Sequence, residues 1–274
     1  MRRNFIGSVA IASVLAATSV FAADLPARTY TKAPVMVDPG FNWSGFYVGG
    51  NVGYSWGRSG NTETLSDAAT GAALFTNTSR NDVNGVIGGA QVGYNWQSSN
   101  WLFGLEADIQ GSGEKGSSTI VCVGCGDGPS NIISNLTQKL DWFGTVRGRA
   151  GVLVTPAVLL YATGGLAYGE VETGGSITGP TLLVPLATVA FPGTSSTRVG
   201  WTVGAGVEGR ISGNWTAKLE YLYMDLGTVD AGPIATTIVN TLRRPVAVSY
   251  SSHFTDNILR VGLNYHFSGP VARY

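Results

Sequence analysis

Gly45-Phe46-Tyr47-Val48-Gly49-Gly50-Asn51-Val52-Gly53-Tyr54-Ser55-Trp56 decides how the chain is read. At period two, Phe46, Val48, Gly50, Val52, Tyr54 and Trp56 share one face, and Tyr47, Gly49, Asn51, Gly53 and Ser55 share the other. Alternation of this kind marks a strand with one apolar face. A soluble sheet can carry it too, so the setting must come from the rest of the chain. The pattern recurs along the whole sequence, and an export signal precedes it.

Arg2 and Arg3 form a positive start, Phe5 to Phe21 an apolar, small-residue core, and Val20-Phe21-Ala22 a cleavage-type end. A signal peptide over 1–22 is expected, cut after Ala22. Residues 23–42, rich in Ala, Pro and Val without a period, are expected as a periplasmic lead-in, 43–267 as the folded body and 268–274 as a C-terminal extension. Only 12% of residues are charged and the formal net charge is zero, so nothing points to nucleic acid. Ala150–Gly169 approaches the length of a membrane helix, but Pro156 and the pair Gly164-Gly165 favour two strands and a turn.

Eight alternating segments follow the lead-in, at about 43–57, 84–97, 101–111, 138–153, 158–170, 198–211, 214–226 and 257–267. Each is long enough to cross a bilayer as a tilted strand. The connections at Gln97–Asn100, Val154–Ala157 and Ser212–Gly213 are tight, whereas those over 58–83, 112–137, 171–197 and 227–256 are long. Strict short–long alternation is what a transmembrane barrel makes, with short periplasmic turns and long external loops. The seven tryptophans sort the same way. Trp43, Trp96, Trp101 and Trp215 fall at the periplasmic rim, and Trp56, Trp142 and Trp201 at the external one, where amphipathic rings suit the headgroup zone. The expected fold is all-β: an eight-stranded antiparallel transmembrane β-barrel with four long external loops and short periplasmic turns.

A barrel of eight strands is just wide enough for side chains to fill it. On the polar faces fall Glu106, Asp108, Asp141, Glu208 and Glu220 against Lys139, Arg147, Arg149, Arg210, Lys218 and Arg260. Buried charges must pair, so these are expected to form a lumen charge network that plugs the barrel. The alternative is a narrow diffusion channel for small solutes, with charge rings selecting them and the inward glycines leaving room for water.

Cys122 and Cys125, in an exported chain, are expected to form a loop disulfide. No metal site is expected, because no His lies near them. The two histidines, His253 and His266, give no catalytic pattern; Ser251, Ser252, His253 and Asp256 are close in sequence, which supplies no geometry. No enzyme activity is expected. Tyr250 and His253 are candidates for a ligand loop, with haem iron as the ligand. Apolar patches at Thr181–Phe191, Pro233–Val239 and Pro245–Val248 read as strand extensions above the membrane or as a docking surface.

Ala23-Asp24-Leu25-Pro26, Ala33-Pro34-Val35 and Trp43-Ser44-Gly45-Phe46-Tyr47-Val48-Gly49-Gly50-Asn51-Val52-Gly53-Tyr54 resemble the RopB-type small outer-membrane proteins of Gram-negative bacteria. So do Leu160-Tyr161-Ala162-Thr163-Gly164-Gly165-Leu166-Ala167-Tyr168-Gly169, Glu220-Tyr221-Leu222-Tyr223-Met224-Asp225-Leu226-Gly227 and Arg260-Val261-Gly262-Leu263-Asn264-Tyr265-His266-Phe267. The resemblance covers the strands of nearly the whole mature chain and not the loops. It implies a porin-like surface barrel that contributes to envelope integrity. No resident cofactor is expected, with haemin the possible exception, since some relatives are described as binding it. Expected partners are outer-membrane lipid and lipopolysaccharide, the barrel-assembly machinery, and host or surface ligands at the external loops. One departure is that Phe267, where such chains often end, is followed by Ser268–Tyr274.

Overall fold

The computed structural model describes residues 41–126, 130–240 and 242–267; the expected signal peptide, nearly all of the expected lead-in and the expected C-terminal extension lie outside them. Eight strands run in chain order: β1 (Gly45–Asp67), β2 (Ala73–Ser98), β3 (Trp101–Cys122), β4 (Ile132–Thr155), β5 (Val158–Gly179), β6 (Ala187–Ser212), β7 (Trp215–Val239) and β8 (Pro245–His266). Each pairs antiparallel with its neighbours. β1 also pairs with β8, from Tyr47↔His266 to Asp67↔Val246, which closes the barrel. Closure leaves no open edge, the condition for placing a sheet in hydrocarbon.

The strands are 22–26 residues long, about twice the 9–11 residues that cross a bilayer. On β1 the exposed apolar side chains are Phe46, Val48, Val52, Tyr54 and Trp56; the next outward residues are Arg58, Gly60 and Thr62. Along β8 and at the residue just past its end, the apolar band is Leu259, Val261, Leu263 and Phe267. Beyond the band the barrel continues outside the membrane as paired strand. Most of 58–83, 112–137, 171–197 and 227–256, expected as loops, is therefore ladder, and the external connections shrink to 68–72, 123–131, 180–186 and 240–244. The reason is physical. Above the outer rim the outward face meets water and the inward face mixes apolar residues with buried polar ones such as Ser59, Asn61 and Glu63, so the lipid-facing signature stops while the backbone pairing does not.

At the periplasmic end the turns are two residues each. Between β6 and β7 only Gly213 and Asn214 intervene, and Gly213 takes φ 52°, a left-handed conformation that glycine adopts without steric cost.

β4 departs from simple alternation. Its pairing with β5 slips between Leu140 and Trp142, and β3 slips opposite it between Gly111 and Glu114. Below the β4 bulge the odd residues Phe143, Thr145, Arg147 and Arg149 are buried; above it the even residues Leu136, Gln138 and Leu140 are. One extra residue moves every later side chain to the other face. Lys139 and Asp141, expected in the lumen, therefore point outward, and Lys139 pairs with Glu172 at 3.5 Å.

The aromatic rims are formed by six of the seven tryptophans. Trp96, Trp101 and Trp215 are exposed at the periplasmic rim and Trp56 and Trp201 at the external one, where Trp142 donates its Nε1–H to Glu170 at 2.8 Å. Trp43 departs from the expected girdle. It is fully buried in the periplasmic mouth, packed on Leu102, Leu153, Leu159 and Tyr161, with its Nε1–H on the Pro156 carbonyl at 3.2 Å. A large ring has more surface to bury in the narrow mouth than at a half-wet rim.

Candidate functional site: the charged layer of the lumen

The lumen is filled in layers. Above the Trp43 cluster lie Glu106, Asp108, Glu208 and Glu220 with Arg147, Arg149, Lys218 and Arg260, all buried. These are four carboxylates and four cations, so the layer is neutral. The expected set had five acids and six bases; removing Lys139, Asp141 and Arg210 leaves the balanced eight. Arg210 sits lower, its Nε–H on the Gly213 carbonyl at 3.1 Å and its guanidinium over the Phe41 ring.

Arg147 reaches three carboxylates. It bonds Glu106, Asp108 at 2.9 Å and Glu220 at 3.2 Å, while its Nε–H meets Thr145 at 2.9 Å. Arg260 crosses from β8 to Glu220 at 2.6 Å and Asp108 at 2.9 Å. Lys218 donates to both Glu106 oxygens at 3.0 Å. Arg149 bonds Glu208 at 2.8 Å. The network ties β3 and β4 to β6, β7 and β8 across the lumen. Isolated charges could not be buried here, whereas a hydrogen-bonded, neutral set can.

Two tyrosines complete it, and sequence reading gave them no role. Tyr47 donates to Glu106 at 2.7 Å and Tyr161 to Glu220 at 3.0 Å, and the Arg149 guanidinium lies over both rings, 5.2 and 4.8 Å from their centres. The glycines opposite make room for them. A Cβ on Gly93 would sit 2.3 Å from the Tyr47 hydroxyl, and one on Gly206 would sit 2.6 Å from that of Tyr161. Gly53 and Gly89 make the same accommodation for Arg260 and Gln110. The inward glycines expected to admit water thus admit neighbouring side chains. The signal was present as large residues on one strand facing inward glycines on the next. Using it requires knowing which strands lie side by side and in what register.

Above the charges comes an apolar layer that includes Val83, Ile87, Phe143, Leu222, Met224 and Phe254. Over it, Asn61 Oδ1 accepts from Ser59 at 2.9 Å and Ser252 at 2.6 Å, and Gln138 donates to Ser252 at 2.6 Å. A second apolar core, with Leu65, Ile132, Leu136, Ile177, Ile238 and Val246, fills the part outside the membrane. Here burial raises both the Glu63 carboxyl and the Tyr250 hydroxyl above their usual ranges, with Glu63 adding to the effect on Tyr250.

The external mouth is crossed by the β7–β8 connection. Val239 N–H bonds the Pro180 carbonyl at 2.9 Å, Asn240 bridges Gly126, and the Asn240 amide reaches Asp67 at 3.3 Å. Burial alone would raise the Asp67 carboxyl. The Thr70 and Ala69 N–H groups outweigh it and hold Asp67 below its usual value. Cys122 and Cys125 are bonded at the end of β3.

The remaining candidates separate. Tyr250 faces the upper core, while His253 faces outward beside Asp225 at 3.5 Å and Thr228 at 3.2 Å. Residues three apart on a strand lie on opposite faces, so this pair cannot grip one iron. Ser252 and Asp256 are buried inside with His253 outside, so no Ser/His/Asp arrangement forms. His266 is buried, stacked on Tyr47 and 3.4 Å from Glu208. Pro233–Val239 and Pro245–Val248 contribute Ile238, Val239, Val246 and Val248 to the interior. In the third external connection, Leu182, Leu183, Val184 and Leu186 stand exposed.

The family model "outer membrane protein beta-barrel domain" matches residues 9–267 of this chain. A 31 kDa outer-membrane immunogenic protein of Brucella melitensis is 35% identical over 271 residues, covering 95% of this chain and 99% of its own. A 22 kDa outer membrane protein of Rhizobium leguminosarum is 33% identical over 202 residues, covering 73% and 71%. Among solved structures, OprG of Pseudomonas aeruginosa aligns over 84% of this chain and all of its own, with 10% identity and a TM-score of 0.44.

Proposed function

Given that the chain belongs to the outer membrane protein β-barrel domain family, we propose that it is a non-conducting structural and surface protein of the outer membrane. The neutral eight-residue network carries this reading, because it joins five strands through the lumen and is covered by apolar layers on both sides. Its role is to be a rigid stave-and-plug element of the envelope. The closer likeness to RopB-type proteins belongs to the same proposal and rests on the strand motifs. The exposed tip around Leu183 and Arg244 is where surface partners would meet it, in keeping with the immunogenic naming of its relatives.

The competing reading is a narrow channel. A solute would have to displace Phe143, Leu222, Met224 and Phe254 together, after breaking several buried ion pairs. Pure protein in planar bilayers should give no steady unitary currents; reproducible unitary steps would overturn the sealed-lumen reading. A strain lacking the protein should become detergent-sensitive and recover on complementation.

A further inference from the structure

Just beyond the outer rim, the wall of β4, β5 and β6 carries a groove of about 310 Å³. Gly174, Gly175 and Gly193 line its floor, and the Glu172 side chain lies in the space that a Cβ on Gly193 would need. Its sides carry Asn135, whose Oδ1 accepts from Thr119 at 2.7 Å and whose amide nitrogen remains to donate, Thr137, whose hydroxyl donates to the Gly174 carbonyl at 3.1 Å and can still accept, and Ser176; its membrane end carries Lys139 and Glu172. Small hydroxyl and amide groups around a glycine floor suit a sugar better than an acyl chain.

A second observation adjoins the first. Lys115 lies directly opposite Lys139 in the β3–β4 register, and both point outward, Lys139 because of the β4 bulge. Like charges directly opposite on a sheet destabilise it. Glu172 answers Lys139 at 3.5 Å. Asp141 and Glu170 lie a step nearer the hydrocarbon, and Glu170 is engaged by the Trp142 indole. The two lysines are thus register neighbours on the outer face at headgroup height, with Asn84 of β2 opposite Lys115, the Lys139 ammonium turned toward Glu172 on β5, and the groove above.

We propose that Lys115, Lys139 and the groove above them seat a phosphorylated sugar headgroup of an outer-leaflet glycolipid. The phosphate bridges the two lysines and relieves their repulsion, and the sugar hydroxyls meet Asn135, Thr137 and Ser176. The glycolipid seat requires the outer-membrane location and is independent of whether the lumen conducts.

Native mass spectrometry of the detergent-solubilised protein tests it, with bisphosphoryl lipid A, dephosphorylated lipid A and phosphatidylglycerol as the probes. Bisphosphoryl lipid A should bind at least about tenfold more tightly than the other two, the scale of losing one or two charge-assisted hydrogen bonds. Lys115→Gln/Lys139→Gln should lose that margin, and Thr137→Trp should block binding by filling the groove. Heat-modifiable gel mobility checks that each variant is folded, and Lys115→Gln alone serves if the double variant is not. Equal binding of dephosphorylated lipid A, or unchanged binding by the folded lysine variants, would overturn the proposal. Equal binding of phosphatidylglycerol would overturn the sugar part, reducing the site to a charge.

Discussion

Arg147 is buried among three carboxylates, and Lys139, eight residues earlier on β4, is half exposed with one. Physical chemistry assigns them different weights. Removing one partner of a buried set costs about 3–5 kcal/mol, because charges are left behind unpaired. An exposed pair contributes about 0–1 kcal/mol. Arg147→Ala should therefore unfold at clearly lower urea than wild type in detergent, and Lys139→Ala should not, as read by the folded band on unheated gels. Equal midpoints for the two variants would contradict the network. Asp67 gives a pH effect of known sign. Its carboxyl is held below the usual range, so its contribution is complete above the unfolded value of about 3.9 and fades as pH falls through the lower folded value. Hydrogen-exchange protection of the Ala69 and Thr70 amides should fall over that acid range in wild type, and Asp67→Asn should remove the pH dependence. Protection independent of both pH and residue 67 would refute the assignment.

Strand parity is the quantity that mattered most for the elements. On β1, β3 and β8, sequence alternation placed every lumen residue on its proper face, from Asn51 to Arg260. On β4 it failed at one residue. The bulge beside Asp141 leaves no composition signal, since Leu140 and Trp142 read equally well as lipid-facing. In a Cys122→Ser/Cys125→Ser background, Lys139→Cys should react with a water-soluble maleimide on the folded barrel, whereas Gln138→Cys should not. The reverse pattern would remove the bulge. The inward glycines were legible as small residues, but their meaning depends on Tyr47 and Tyr161 lying on neighbouring strands.

Across the whole molecule, the outer half is barrel and not loop. Trypsin on intact cells should cut at Arg243, in the β7–β8 connection, and spare Arg58, Arg80 and Lys115, whose backbones are paired on both sides or lie mid-ladder. Cleavage at Arg58 would restore the long-loop picture. Between the Trp43 cluster and the Asn240 lid, charged, apolar, polar and apolar layers follow one another along the axis.

By itself the sequence determined the number of strands, their order, the lipid-facing band and the location of the periplasmic turns. These depend on period two and turn chemistry, which are local and written residue by residue. Only the tertiary structure decided which charges meet, that they balance four to four, that Trp43 turns into the mouth, and that Lys139 stands beside Lys115 outside. Those outcomes depend on barrel closure and on one bulge. Closure brings residues more than a hundred positions apart within hydrogen-bond range, and a single inserted residue reverses every face beyond it.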